Sequence, residues 1–281
     1  MKCLVLQADR LLTKHDVDAS TAQRVTNRFN DYIINPENSN LSSPEVACFL
    51  HRVVKRVTCT GDLYEKEKND FNQLMLDIEE QTRQIIRQSE NPFKTALRYA
   101  LAGNIIDFGP PGSFDVFRTL AAAASKEPAI DHSEVLYEAL KQASTVLYLG
   151  DNAGEIVLDK LFIETINHPN LYFATRGGHI INDITLEDAA RVGMDKVAKV
   201  ISNGYDAPST ILNRCSVEFR QIFEAADLII SKGQGNLEGL IHNREKPIFF
   251  LLMVKCYVIG EMLGTEEKNS VVYYNLKTRN T

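Results

Sequence analysis

Apolar positions in the first half of the chain recur at three-to-four spacing, with charges between them. The pattern predicts helices over Ala22 to Ile34, Ser43 to Thr58, Tyr64 to Ser89 and Pro92 to Leu101. Ser43 before Pro44 reads as an N-cap with proline at the first helical position. Asn35-Pro36, Asn91-Pro92 and GPPGS (Gly109 to Ser113) read as breaks. Little strand signal precedes residue 144. Beyond it the rhythm changes. TVLYLG (Thr145 to Gly150), NLYFAT (Asn170 to Thr175), KVAKVIS (Lys196 to Ser202), DLIIS (Asp227 to Ser231), PIFFLLMV (Pro247 to Val254) and SVVYYNL (Ser270 to Leu276) are short apolar runs with helical stretches between several of them. Strand and helix in alternation predict βαβ units and a mainly parallel sheet. The expected fold class is therefore α/β: a helical N-terminal domain over residues 1–135, then a doubly wound α/β/α domain over residues 136–281.

Composition narrows the class little. The chain has 281 residues, 44% apolar and 24% charged, which excludes disordered and collagen-like chains. A net charge of -6 without a long basic run argues against a nucleic-acid partner. The five cysteines are scattered and no pair has metal-ligand spacing, so reduced thiols in a cytoplasmic protein are expected. MKCLVLQADRLLTKHD lacks the apolar core of a secretory signal, and the longest apolar run, Pro247 to Val254, is too short to span a membrane.

In open parallel sheets, ligands bind beyond the carboxyl ends of the strands. Asp151, Asn152, Gly154 and Glu155 follow the first predicted strand. Arg176, Asn182 and Asp183 follow the second, and Asn203, Gly204 and Asp206 the third. Lys232, Gly233, Gly235 and Asn236 follow the fourth, and Lys255 the fifth. Asp151, Asn152 and Asp183 offer hard oxygen ligands suited to a divalent ion. Lys232 and Arg176 supply positive charge, and the glycines expose N–H groups that can cradle phosphate. Together they point to metal-assisted phosphate chemistry. Helix capping is the alternative for Asp151, Asn152 and Asp183. His51 and His179 read as surface or loop histidines, since neither has a second histidine at ligand spacing.

GDNAGE, INDITLEDA, NG-x-D-A-P-x-T and DLIISKGQGNLEG, in that order, resemble the metal-dependent damage-control phosphatases, which include acidic-residue methyltransferase-like proteins. TGDLYEKEKNDFN (Thr60 to Asn72) and ALAGNIIDFG (Ala100 to Gly109) resemble the helical-domain signatures of that family, stand-alone prokaryotic type. The resemblance implies a phosphatase of small phosphomonoesters, such as a sugar phosphate or related phosphometabolite, using a metal-activated water. It implies Asp151, Asn152 and Asp183 as ligands of a divalent ion (Mn, Mg, Co or Ni). Lys232 falls at its phosphate-binding lysine, and Asn236 lies in the same loop. Glu155, Asn104, Asp107 and Asn203 fall at pocket positions, and Asp151 or Glu155 would orient or deprotonate the water. Cys3 is present, but Leu6 stands where a second cysteine often follows. Two other readings are a carboxyl methyltransferase using S-adenosylmethionine and a non-catalytic binder of a phosphometabolite. Neither a membrane nor a nucleic-acid partner is expected, and the oligomeric state is not readable.

Overall fold

A computed structural model of the chain describes residues 2–105 and 116–275, apart from the side chains of residues 2–7 and 105. Asp107 and the GPPGS break lie outside the described residues, as does the side chain of Cys3.

The helical layer comprises α1 (Lys2–Lys14), α2 (Ala19–Ile34), α3 (Ser43–Thr58), α4 (Glu65–Asp77), α5 (Glu79–Gln88), α6 (Pro92–Ala102) and α7 (Val116–Ala124). The cap of α3 is Ser42, one residue earlier than expected. The Glu45 carboxylate accepts hydrogen bonds from the Ser42 N–H (3.0 Å) and hydroxyl (2.9 Å), so the capping box rather than Pro44 sets the start. The helix expected over Tyr64 to Ser89 divides at Ile78, whose φ of -105° and ψ of 0° lie in the bridge region. The bend lets α5 pack on α6 as well as on the helix after the second strand.

The sheet contains β1 (Ile130–Asp131), β2 (Val146–Leu149), β3 (Leu171–Thr175), β4 (Lys199–Ser202), β5 (Leu228–Lys232), β6 (Ile248–Met253) and β7 (Ser270–Tyr274). Their order is β1-β7-β6-β5-β2-β3-β4, and every pair is parallel except β6 with β7. The connecting helices are α8 (Ser133–Gln142), α9 (Glu155–Ile166), α10 (Leu186–Arg191), α11 (Val217–Ala225), α12 (Gly233–Leu240) and α13 (Tyr257–Leu263). β1 was not expected, because two residues are too few to show alternation. Its pairing with β7 creates it, with Ala129 N–H to Ser270 O at 2.8 Å and His132 N–H to Val272 O at 3.0 Å. The division expected after residue 135 falls inside α8, downstream of this first strand.

Alternation along the strands builds two cores. Val146 and Tyr148 of β2 face α4–α10, while Leu147 and Leu149 face α11–α13. A third core, with Leu11, Phe29, Leu50 and Val54, lies within α1–α3. α9 is buried from Glu155 to Ile163, covered by the sheet on one side and by α4, α5 and α6 on the other.

His51 lies in the α1–α3 core rather than on the surface, 1% exposed. Burial, with Lys55 and Lys14 nearby, lowers its pKa from 6.5 to about 3. The unfolded chain takes up this proton near pH 6.5, so the neutral imidazole's contribution is complete above that pH and is lost as the pH falls toward 3. His51→Leu is expected to gain about 2 kcal/mol relative to wild type between pH 8 and pH 5 in urea unfolding. An equal gap at both pH values would refute a buried neutral histidine.

Candidate active site

Strand order reverses between β2 and β5, so their carboxyl ends open a crevice. Asp151 follows β2, and Gly233 follows β5. Gly233 has φ +78°, and a Cβ there would lie 1.9 Å from Asp151 Oδ2, so only glycine lets the two segments approach this closely. The stretch around Asp183 joins them through an isolated bridge between Asn152 and Asp183. Ile184 N–H donates to Asp151 O at 3.0 Å, and Ala153 N–H to Asn182 O at 2.9 Å.

Asp151, Asn152 and Asp183 thus converge, and they line a cavity of about 410 Å³. Ser43, Pro44 and Ala47 from the start of α3, together with Tyr64, form its other wall; Gln234, Glu238 and Lys255 complete the polar lining. A larger surface hollow of about 790 Å³, near the start of α6 and the end of α9, holds none of the candidate residues.

Arg176 links the two acids. Its Nε donates to Asp183 Oδ2 at 2.6 Å and its Nη2 to Asp151 Oδ1 at 3.3 Å. Its Nη1 reaches Asn236 Oδ1 at 2.8 Å and Thr210 Oγ1 at 3.4 Å. Asn236 is itself fully engaged, since its Nδ2 donates to Lys232 O at 2.8 Å and Gly150 O at 3.2 Å. Asn203 stands apart from the cavity. Its Oδ1 accepts from Gly177 N–H and Tyr205 N–H, both at 2.9 Å, and so ties the loop after β3 to the loop after β4.

Lys232 lies beneath the cavity, 0% exposed. Its Nζ donates to Ala100 O at 2.7 Å, to Asp159 Oδ1 at 2.6 Å and to Glu155 Oε1 at 2.6 Å. All three ammonium protons are therefore used, and the expected contact between Lys232 and phosphate has no proton left to make it. Burial opposes the charge, but Asp159 and Glu155 outweigh it and hold the pKa above the ordinary lysine value. Glu155 also accepts from the Asn104 amide and, through Oε2, from Asn152 Nδ2 at 3.2 Å. Asn152 Nδ2 donates to Asp151 Oδ2 as well, at 2.7 Å, which leaves Oδ1 as the oxygen a cation would use.

Sequence reasoning passed over Asp159. It accepts from Tyr148 OH at 2.7 Å, its Oδ2 has no partner among the described residues, and burial pushes it up to about 7. The signal was there: an acid one turn after Glu155, inside the otherwise apolar EIVLDKLFI. By sequence Lys255 reads only as a strand-end residue; it reaches the cavity because β6 ends beside β5.

The buried site therefore holds four carboxylates, Asp151, Glu155, Asp159 and Asp183, against two buried cations, Arg176 and Lys232. Burial raises Asp151 well above the usual carboxylate range, with Asp183 and Glu155 adding to the rise. Burial likewise raises Asp183, against the pull of Arg176. Two more acids than buried cations, with two carboxylates and an amide converging on the cavity, suit a divalent cation, which would displace the protons that burial favours. No group of three His, Cys, Asp or Glu side chains placed to hold a metal occurs among the described residues; the candidate set is two carboxylates and an amide.

The damage-control phosphatase ARMT1-like domain matches residues 1–271. The chain belongs to this family. A damage-control phosphatase of Pyrococcus horikoshii is 37% identical over 212 residues, 72% of this chain and 74% of the relative. A damage-control phosphatase of Archaeoglobus fulgidus is 33% identical over 241 residues, 83% and 81% of the two chains. An uncharacterised protein of Methanocaldococcus jannaschii is 34% identical over 233 residues, 79% and 77%. The fold is similar to the crystal structure of a DUF89 family protein from Pyrococcus horikoshii, with a TM-score of 0.87 and 29% identity over 98% of this chain and 96% of that one. Membership in the damage-control phosphatase family supports a phosphatase role in general terms. No helix among the described residues is long and apolar enough to cross a membrane.

If Lys232 serves as counter-charge to Glu155 and Asp159, Lys232→Met leaves two buried carboxylates unpaired. A loss of about 3–5 kcal/mol in urea unfolding is expected. Unchanged stability would return Lys232 to a role in contacting the ligand.

Proposed function

We propose that this protein is a metal-dependent phosphatase of small phosphomonoesters, of the damage-control type. The observation that carries this reading is the cavity in which Asp151, Asn152 and Asp183 meet, with Lys255 on the same lining. Asp151, Asn152 and Asp183 would hold a divalent ion. When bound, such an ion polarises a phosphate oxygen and lowers the pKa of a water.

The chain's own groups supply the rest. Arg176 holds Asp151 and Asp183 in fixed relation and moderates their repulsion. Glu155, anchored by Lys232, fixes the amide of Asn152 and adds a carboxylate behind it. Lys255, on the cavity lining and close enough to favour the charged form of Asp151, would supply a cation to the phosphate oxygens. Asp151 would orient the attacking water and, with its proton displaced by the metal, accept the water's proton. Tyr64 and the start of α3 close the far wall and limit the size of the leaving group. Polar cavity groups such as Ser43, Gln234 and Glu238 suit a hydroxylated substrate, which favours a sugar phosphate or related phosphometabolite over an apolar ester. Cys48, Cys59, Cys215 and Cys256 are free thiols, which supports a cytoplasmic location.

The test uses metal-stripped protein with Mg²⁺, Mn²⁺, Co²⁺ or Ni²⁺ added singly, following phosphate release from an aryl phosphate and from a panel of sugar phosphates. Metal-dependent release is expected. Asp151→Asn should reduce it by more than about 100-fold, since even groups that only support metal ligands are worth 10–100-fold. Retention of these esters by folded protein with no release under any metal would favour the binder reading.

Because Asp151 and Asp183 are both raised, protons compete with the metal for them. Mn²⁺ affinity, followed by calorimetry in the wild-type protein, should therefore fall as the pH is lowered, with protons released on binding. Affinity independent of pH would argue against these two carboxylates as ligands.

A further inference from the structure

Of the Thr60 to Asn72 signature, the cavity uses only Tyr64. Its last residue, Asn72, is 0% exposed on α4. Asn72 Oδ1 accepts the Gly154 N–H at 2.7 Å, and Nδ2 donates to Asp188 Oδ1 at 3.2 Å. Gly154 lies two residues after Asn152. The other oxygen of Asp188 accepts from the N–H and the hydroxyl of Thr185, both at 2.9 Å, and Thr185 lies two residues after Asp183. One amide therefore ties together the two segments that carry Asp151, Asn152 and Asp183. Its oxygen holds the first segment directly, and its nitrogen holds the second through Asp188.

The surroundings make this clamp specific. Lys68, also buried on α4, pairs with Asp188 Oδ2 at 2.7 Å and with Asp62 Oδ2 at 3.0 Å, so the charge of Asp188 is balanced from the same helix. His179 Nδ1 lies 2.9 Å from the same Asp62 oxygen. The amide does both at once, its oxygen accepting from an N–H while its nitrogen donates to a carboxylate on a different segment. An aspartate at this position would face Asp188 with like charge, and an alanine would leave the Gly154 N–H without its acceptor.

We propose that Asn72 is a positioning residue that sets the spacing of the ligand set, so that the helical layer controls metal affinity through one side chain. This rests on the reading of Asp151, Asn152 and Asp183 as metal ligands. Asn72 does not itself line the cavity.

The test compares wild type, Asn72→Ala, and the reciprocal pair Asn72→Asp with Asp188→Asn. Ile86→Ala, a core truncation on α5 away from the clamp, controls for stability alone. Mn²⁺ binding is followed by calorimetry and by the electron paramagnetic resonance of the bound ion. Amide exchange at Gly154 and Thr185 is followed in metal-free protein. In Asn72→Ala the Mn²⁺ dissociation constant should rise roughly 10–100-fold, the effect typical of groups that orient metal ligands. The resonance should broaden, and the Gly154 amide should lose protection. Ile86→Ala should melt earlier yet bind Mn²⁺ as wild type does. The reciprocal pair exchanges donor and acceptor across one contact and should recover most of the affinity.

Wild-type Mn²⁺ affinity in folded Asn72→Ala would overturn the proposal, as would an equal loss in Ile86→Ala. Should Asn72→Ala fail to fold, the reciprocal pair decides, with recovered affinity supporting the clamp and weak affinity in folded protein refuting it. Absence of Mn²⁺ binding in wild type would instead sink the ligand reading and with it the metal role of Asn72. The exchange data then report separately on whether the clamp exists.

Discussion

Four carboxylates, Asp151, Glu155, Asp159 and Asp183, are taken out of water around the end of β2 and the start of α9, and the buried cations Arg176 and Lys232 pair with them. Taking a carboxylate out of water costs several kcal/mol unless it is paired and hydrogen-bonded. That cost explains the density of contacts around these side chains. Arg176 uses three of its nitrogens on four partners, Lys232 donates three times, and Asn236 bonds through both ends of its amide. The acids at the cavity wall, Asp151 and Asp183, share Arg176. Glu155 and Asp159 share Lys232 in the same ratio, so each pair of acids keeps one negative charge beyond its cation. Access distinguishes the two pairs, since Asp151 and Asp183 line the cavity and Glu155 and Asp159 do not.

This arrangement needs α9 to be enclosed, and enclosure joins the helical layer to the sheet. Glu155 and Asp159 stand one turn apart on the same helix, and their counter-ion comes from the end of β5. Ala100, at the end of α6, supplies the third acceptor for that lysine. The core that covers α9 runs from Met75 of α4 to Val272 of β7. α1–α3, by contrast, have a core of their own and meet the sheet side through polar contacts, among them Arg52 Nε to Asp206 Oδ2 at 2.9 Å. The wall of the cavity formed by Ser43, Pro44 and Ala47 therefore belongs to a part of the molecule packed separately from the part that holds the acids.

The α/β class, six of the strand segments and the meeting of Asp151, Asn152 and Asp183 were legible without coordinates. Buried strands leave apolar runs such as TVLYLG and PIFFLLMV, and a parallel sheet gathers their carboxyl ends along one edge. Local chemistry could not reveal which of the polar residues at that edge face a ligand. Asn203, Asn236 and Lys232 have the residue types of a binding site, yet their polar atoms are occupied by loops, by Arg176 and by the acids of α9. Two short features also escaped. β1 exists through its pairing with β7, and the break at Ile78 through packing on α6 and α9.

The sequence by itself determined the element types, the family signatures and the set of oxygen donors, because each of these is written in periodicity or in side-chain chemistry. Only the tertiary structure decided the order of the strands, and so which loops meet at the crevice. It also decided that Lys232 is a buried counter-charge while Lys255 lies on the cavity wall, and that Asn72, far away in the chain, spans the segments on either side of the site. These outcomes depend on where a charge or an amide sits relative to water and to partners distant in sequence. Spacing along the chain carries no such information.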